Sequence, residues 1–68
     1  MKIKNATWIE KTVLIEVDNI PFNWKCEGTV MIDAQEYKAS IVFDLPNNIA
    51  VYGVEVEDLV NKKIKFIN

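Results

Sequence analysis

Few residues in this sequence could do covalent chemistry, and none of them assembles a catalytic set. Cys26 is the only cysteine, and there is no histidine among the 68 residues. A thiolate nucleophile needs a base beside it, most often His. A Cys–His dyad is therefore excluded, as are an internal disulfide and a multi-cysteine metal knuckle. Alternation puts Cys26 on the same side as Trp24, Val30 and Ile32, so it is expected as an inert buried thiol. Glu55, Glu57 and Asp58 form the densest acid cluster. Two of these carboxylates could touch a hard cation, but the run lacks the spacing and the glycine of a calcium loop. They read better as solvated acids at the start of one helical turn, near 57–61, where the helix dipole favours them. Two isolated glycines, Gly28 and Gly53, build no phosphate loop. The chain is accordingly read as a non-enzyme with no cofactor and no metal.

What remains is chemistry of association. All eight basic residues are Lys, so no bidentate guanidinium is present to read phosphate or guanine. Lys2, Lys4, Lys62, Lys63 and Lys65 lie at the two ends of the chain, which hold no acid. Residues 10–61 hold three Lys and all ten acids. If the first and last strands pair, Lys2 and Lys4 come near Lys63 and Lys65 on a common outer face. Such a patch suits phosphates or an acidic protein surface; it equally serves to block edge-to-edge pairing. Trp8, Trp24 and Phe22 could stack on single-stranded bases, although aromatics in small β domains mostly fill the core.

These groups must be positioned by strands. Nine Ile and eight Val make up a quarter of the chain, and β-branched residues favour strands over helices. The breakers Pro21, Pro46, Gly28 and Gly53 divide the chain into extended stretches. Residues 3–9 read as an irregular strand: Ile3 and Ile9 share one parity, Ala6 and Trp8 the other, and a bulge could explain the mix. A helix is the rival reading, since Ile3, Ala6, Val13, Leu14 and Val17 fit a loose helical stripe. The β-branched run 12–17 argues against it. A second strand spans 12–17, joined by a bent or bulged connection at Glu10-Lys11, a pair without the Asn or Gly of tight primed turns. A third runs from 24 to 32, with Gly28 as a bulge or a close approach. A type I loop at 33–36 leads to a fourth strand, 37–43. Pro46-Asn47-Asn48 marks a turn before a fifth strand, 49–54. The last strand is 62–67.

The fold class expected is all-β: a small antiparallel barrel or rolled sheet of five or six strands with one short helical turn, in a single domain over 1–68. This order of elements resembles the SH3-like barrel in layout alone.

Period-2 alternation assigns the core to Val13, Ile15, Val17, Trp24, Cys26, Val30, Ile32, Tyr37, Ala39, Ile41 and Phe43. It leaves Leu14, Met31 and Val42 on the outer face. If strands two, three and four form a meander, these three adjoin, and with Trp8 they offer an apolar surface to a partner. A terminal segment folded over them would make them a second core layer instead.

No apolar run approaches the length of a membrane span, and no apolar stretch follows Lys2 and Lys4 as in a signal peptide. A reducing cytoplasm is expected. The Lys-, Asn- and Ile-rich composition suggests an AT-rich bacterial or phage genome. The function expected is a non-catalytic protein-interaction module, a small regulator, inhibitor or mobile-element accessory protein. It would act through a sheet face or edge on a protein partner or a second copy. The alternative is a small nucleic-acid-binding β-barrel using the terminal lysines and aromatics.

Overall fold

The structure is a computed structural model that describes residues 1–67. Its six strands are β1 (Asn5–Ile9), β2 (Thr12–Glu16), β3 (Glu27–Ile32), β4 (Gln35–Ile41), β5 (Asn48–Tyr52) and β6 (Ile64–Ile67). They form one antiparallel sheet in the order β1-β2-β5-β4-β3-β6. The expected meander of strands two, three and four is not formed, because β5 lies between β2 and β4. Val17 N–H donates to Asn47 C=O at 3.0 Å, which draws the Leu45–Asn48 turn alongside β2 and zips β5 onto it.

The sheet curls but does not close into a barrel. Its two ends meet around the Lys2–Lys63 bridge, where Ile3 and Ile64 N–H groups donate to the Lys62 and Met1 carbonyls at 2.9 Å and Asn61 N–H donates to Ile3 C=O at 2.8 Å. The expected bulge in the first strand is there. Lys4 N–H donates to Glu16 C=O at 2.8 Å while Asn5 is also paired with Glu16, so two residues oppose one. That extra residue lets Ile3 and Ala6 both turn inward despite opposite parity.

The inner face is apolar: Ile3, Val13, Ile15, Val17, Trp24, Val30, Ile32, Ala39, Ile49, Val51, Val54, Leu59 and Ile64 pack as one cluster, and among the described residues no polar residue is buried with them. Two core assignments need correcting. Cys26 is exposed, because β3 starts one residue later and Trp24 folds back beneath Gly28 to take the inner position. A turn bond from Trp24 N–H to Pro21 C=O, 2.9 Å, makes that bend. Phe43 is 80% exposed, since β4 ends at Ile41 and residue 43 enters the turn.

The loops differ as well. Glu10-Lys11 is a tight two-residue hairpin after all, with Glu10 at φ 56°. Asp33-Ala34 is also a two-residue loop, both residues at positive φ (49° and 69°), the signature of a type I′ turn rather than type I. No helical turn forms at 57–61. Val54 and Leu59 are buried while the four residues between them are exposed, a spacing of five that a 3.6-residue helix cannot keep on one face. The segment ends in a turn in which Lys62 N–H reaches Leu59 C=O at 3.1 Å over Asn61 at φ 73°.

Candidate docking surfaces

The register fixes which side chains share the outer face. Leu14 lies between Thr7 and Ala50, and Ala50 between Leu14 and Ser40; Thr12 faces Tyr52. Tyr52 and Ser40 hydroxyls hydrogen-bond at 2.9 Å over a shallow depression lined by Thr29 and Lys38. Met31 sits on β3 between Glu36 and Lys65. Three inter-strand steps therefore separate Leu14 from Met31, roughly 14 Å along the sheet at about 4.8 Å per step. Val42 lies just past β4, its N–H on Asn48 C=O at 3.2 Å. All three are half-buried, and the sheet does not bring them together.

Trp8 occupies a different place. It is on the edge strand β1, 38% exposed, and lines a cleft of about 410 Å³ with Val54, Glu55 and Glu57. Its neighbour Ile9 is 54% exposed. In a two-residue hairpin the flanking residues form a hydrogen-bonded pair, and such pairs alternate along the ladder. Ile9, Thr7 and Asn5 thus bond to β2, while Ala6 and Trp8 turn their backbone groups to the free edge. Asn5 Oδ1 accepts the Ala6 N–H at 3.0 Å, which occupies one of them. The segment 54–58 passes nearby without a backbone bond to β1.

The terminal lysines divide into two sets. Lys4 lies 3.8 Å from a Glu16 oxygen and 3.7 Å from an Asp18 oxygen. Lys62 Nζ donates to Asp33 Oδ2 at 3.0 Å, and this bond, with the charge of Asp33, raises its pKa above 10.5. Lys2, Lys63 and Lys65 have no carboxylate within ion-pair distance among the described residues. Lys2 and Lys63 stand opposite each other in the isolated bridge, while Lys4 turns instead to Glu16 and Asp18. Lys63 and Lys65 line a groove of about 550 Å³ with Met1, Met31, Ala34 and Ile64, and Asp33 at its end. Sequence reasoning placed Met31 and the lysines separately. It missed Met1, because the first residues carried no periodic signal to place them.

Of the stacking candidates, Trp24 belongs to the core: its indole N–H donates to Ile67 C=O at 3.1 Å and its ring meets Phe66 edge-on at 5.1 Å. Phe22 is fully exposed in the loop before it. No helix among the described residues is long and apolar enough to cross a membrane. Comparison with protein-family models, curated proteins and solved structures finds no match to this chain.

Proposed function

We propose that this chain is a non-catalytic protein-interaction module that docks an extended segment of a partner, or of a second copy, onto the free edge of β1. The observation carrying this reading is the pairing of an open strand edge with a half-exposed tryptophan at the same position, Trp8. Unpaired edge groups template strand addition, and Trp is the residue most enriched among interface hot spots. Ile9 and the Trp8 cleft supply apolar contact beside the edge. A reducing cytoplasm suits the exposed thiol of Cys26.

The test is a photo-reactive residue in place of Ile9, irradiated in cells that make the protein, with and without Trp8→Lys. One discrete adduct that disappears in the folded Trp8→Lys variant supports edge docking. Adducts that are absent, or unchanged by the substitution, overturn it. The adduct mass separates a second copy from another protein.

A second reading, an anionic nucleic-acid partner, draws on Lys2, Lys63 and Lys65 around the Lys2–Lys63 bridge, which have no carboxylate within ion-pair distance among the described residues. It predicts affinity that falls steeply with salt and vanishes when Lys2, Lys4, Lys63 and Lys65 become Glu.

A further inference from the structure

Separately from the β1 edge, we propose that the groove between Met1, β3 and β6 binds an acidic peptide segment of a partner protein, seating one of its apolar side chains between Met1 and Met31. The groove has the two parts such a ligand requires. Its apolar walls are the side chains of Met1, Met31 and Ala34, closed below by the chain at Ile64, whose own side chain turns into the core, in a volume of about 550 Å³. Methionine side chains are flexible and polarizable, and they adapt to varied apolar partners. Its rim carries Lys63 and Lys65, with Lys2 across the bridge from Lys63.

Charge selects the occupant. Like charges directly opposite in an antiparallel pair repel, and no carboxylate of the described residues lies within ion-pair distance of Lys2, Lys63 or Lys65. The one acid in the groove, Asp33, is already held by Lys62 at 3.0 Å. A ligand carboxylate would supply the missing counter-charge. The groove also separates an acidic peptide from a nucleic acid. Base binding without sequence reading depends on aromatic platforms, and no aromatic side chain lines these walls. Trp24 is buried, and Trp8 stands beside the Glu55 and Glu57 carboxylates, which repel phosphate. Aliphatic and thioether walls instead match an aliphatic side chain.

Fluorescence anisotropy on the full chain tests this with a short labelled peptide of Asp and Glu around a central Leu. The expected result is binding that weakens with salt, falls about tenfold for Lys63→Glu, falls several-fold for Met31→Ser, and is unchanged by Trp8→Lys. That last variant keeps the groove's outcome distinct from that of the β1 edge. Denaturation midpoints confirm that each variant is folded. The proposal is overturned if the peptide does not bind, or if replacing its Leu by Ser leaves affinity unaltered. It also fails if an oligothymidylate or a phosphatidylserine vesicle binds at the same lysines more tightly than the peptide.

Discussion

The indole of Trp24 lies where residue 28 would carry a side chain: a Cβ on Gly28 would stand 3.3 Å from Cε2, Cζ2 and Nε1 of that ring. Three near-contacts at that distance leave the ring to give way, and its N–H is tied to Ile67 C=O at 3.1 Å. Gly28→Ala is therefore expected to destabilise by about 1–3 kcal/mol through overpacking. Trp24→Phe keeps an aromatic ring but loses the indole N–H bond to the Ile67 carbonyl, for a loss of about 1 kcal/mol beyond the smaller ring's packing. Urea denaturation followed by circular dichroism reads both. Equal midpoints for wild type and Gly28→Ala would refute the close approach.

The β3–β4 hairpin carries a backbone cost. Ala34 sits at φ 69° in a turn whose favoured dipeptide ends in Gly. An L-residue pays about 1–2 kcal/mol in the left-handed region, partly offset by the flexibility glycine adds to the unfolded chain. Ala34→Gly should stabilise by about 0.5–1 kcal/mol. Gly53 gives the converse. It sits at φ 77° with open space where a methyl group would stand, so Gly53→Ala should lose about 1 kcal/mol from strain alone. Thermal melts of the two variants should shift in opposite directions.

These positions mark what the sequence could and could not reveal. Alternation located all six strands and most of the core, because an apolar sheet face writes a period of two into Val13-Leu14-Ile15-Glu16-Val17. The bulge at Lys4 was visible as a broken parity. Strand order was not readable, since β2 pairs with β5 through contacts far apart in sequence. That cost the supposed adjacency of Leu14, Met31 and Val42. Cys26 and Phe43 obeyed the alternation but lay past the strand ends, where the chain bends and parity stops meaning burial. The acids at 55–58 suggested a helix N-terminus, yet the spacing of Val54 and Leu59 was the stronger signal. The tight turns at Glu10 and Ala34 use residues that tolerate positive φ poorly, so their types left no mark.

The ion pair of Lys62 and Asp33 gives a pH dependence of known sign. The hydrogen bond to Asp33, then its charge, raise the Lys62 pKa above 10.5 in the folded protein. A group bound more tightly to its proton when folded stabilises the fold fully below its unfolded pKa and loses that contribution as pH rises through the folded value. The difference in stability between wild type and Lys62→Met should be constant from neutrality to about pH 10 and shrink above 10.5. A difference that grows in alkali would show that this pair is not the source.

If Leu14 and Met31 belong to separate surfaces three strand steps apart, their substitutions act independently. Leu14→Ser and Met31→Ser should then combine additively in stability, within about 0.5 kcal/mol. A coupling larger than that in the double-mutant cycle would mean that the curled sheet brings them into one surface.

The Lys2–Lys63 bridge makes the last prediction, because it sets stability against binding. Lysines directly opposite each other across an antiparallel bridge repel, and replacing one by a glutamate converts the pair to an attractive one. Lys63→Glu should raise stability by roughly 0.2–1 kcal/mol at low salt, and the gain should fade as salt screens the pair. Lys4→Glu should do the reverse, since Lys4 already faces Glu16 and Asp18 at 3.8 and 3.7 Å. A protein tuned only for folding would keep the more stable arrangement at position 63. A lysine there that costs stability, and whose replacement weakens capture of an acidic peptide about tenfold, is retained for the ligand. Lys63→Glu proving less stable than wild type at low salt would remove the repulsion on which this reasoning stands.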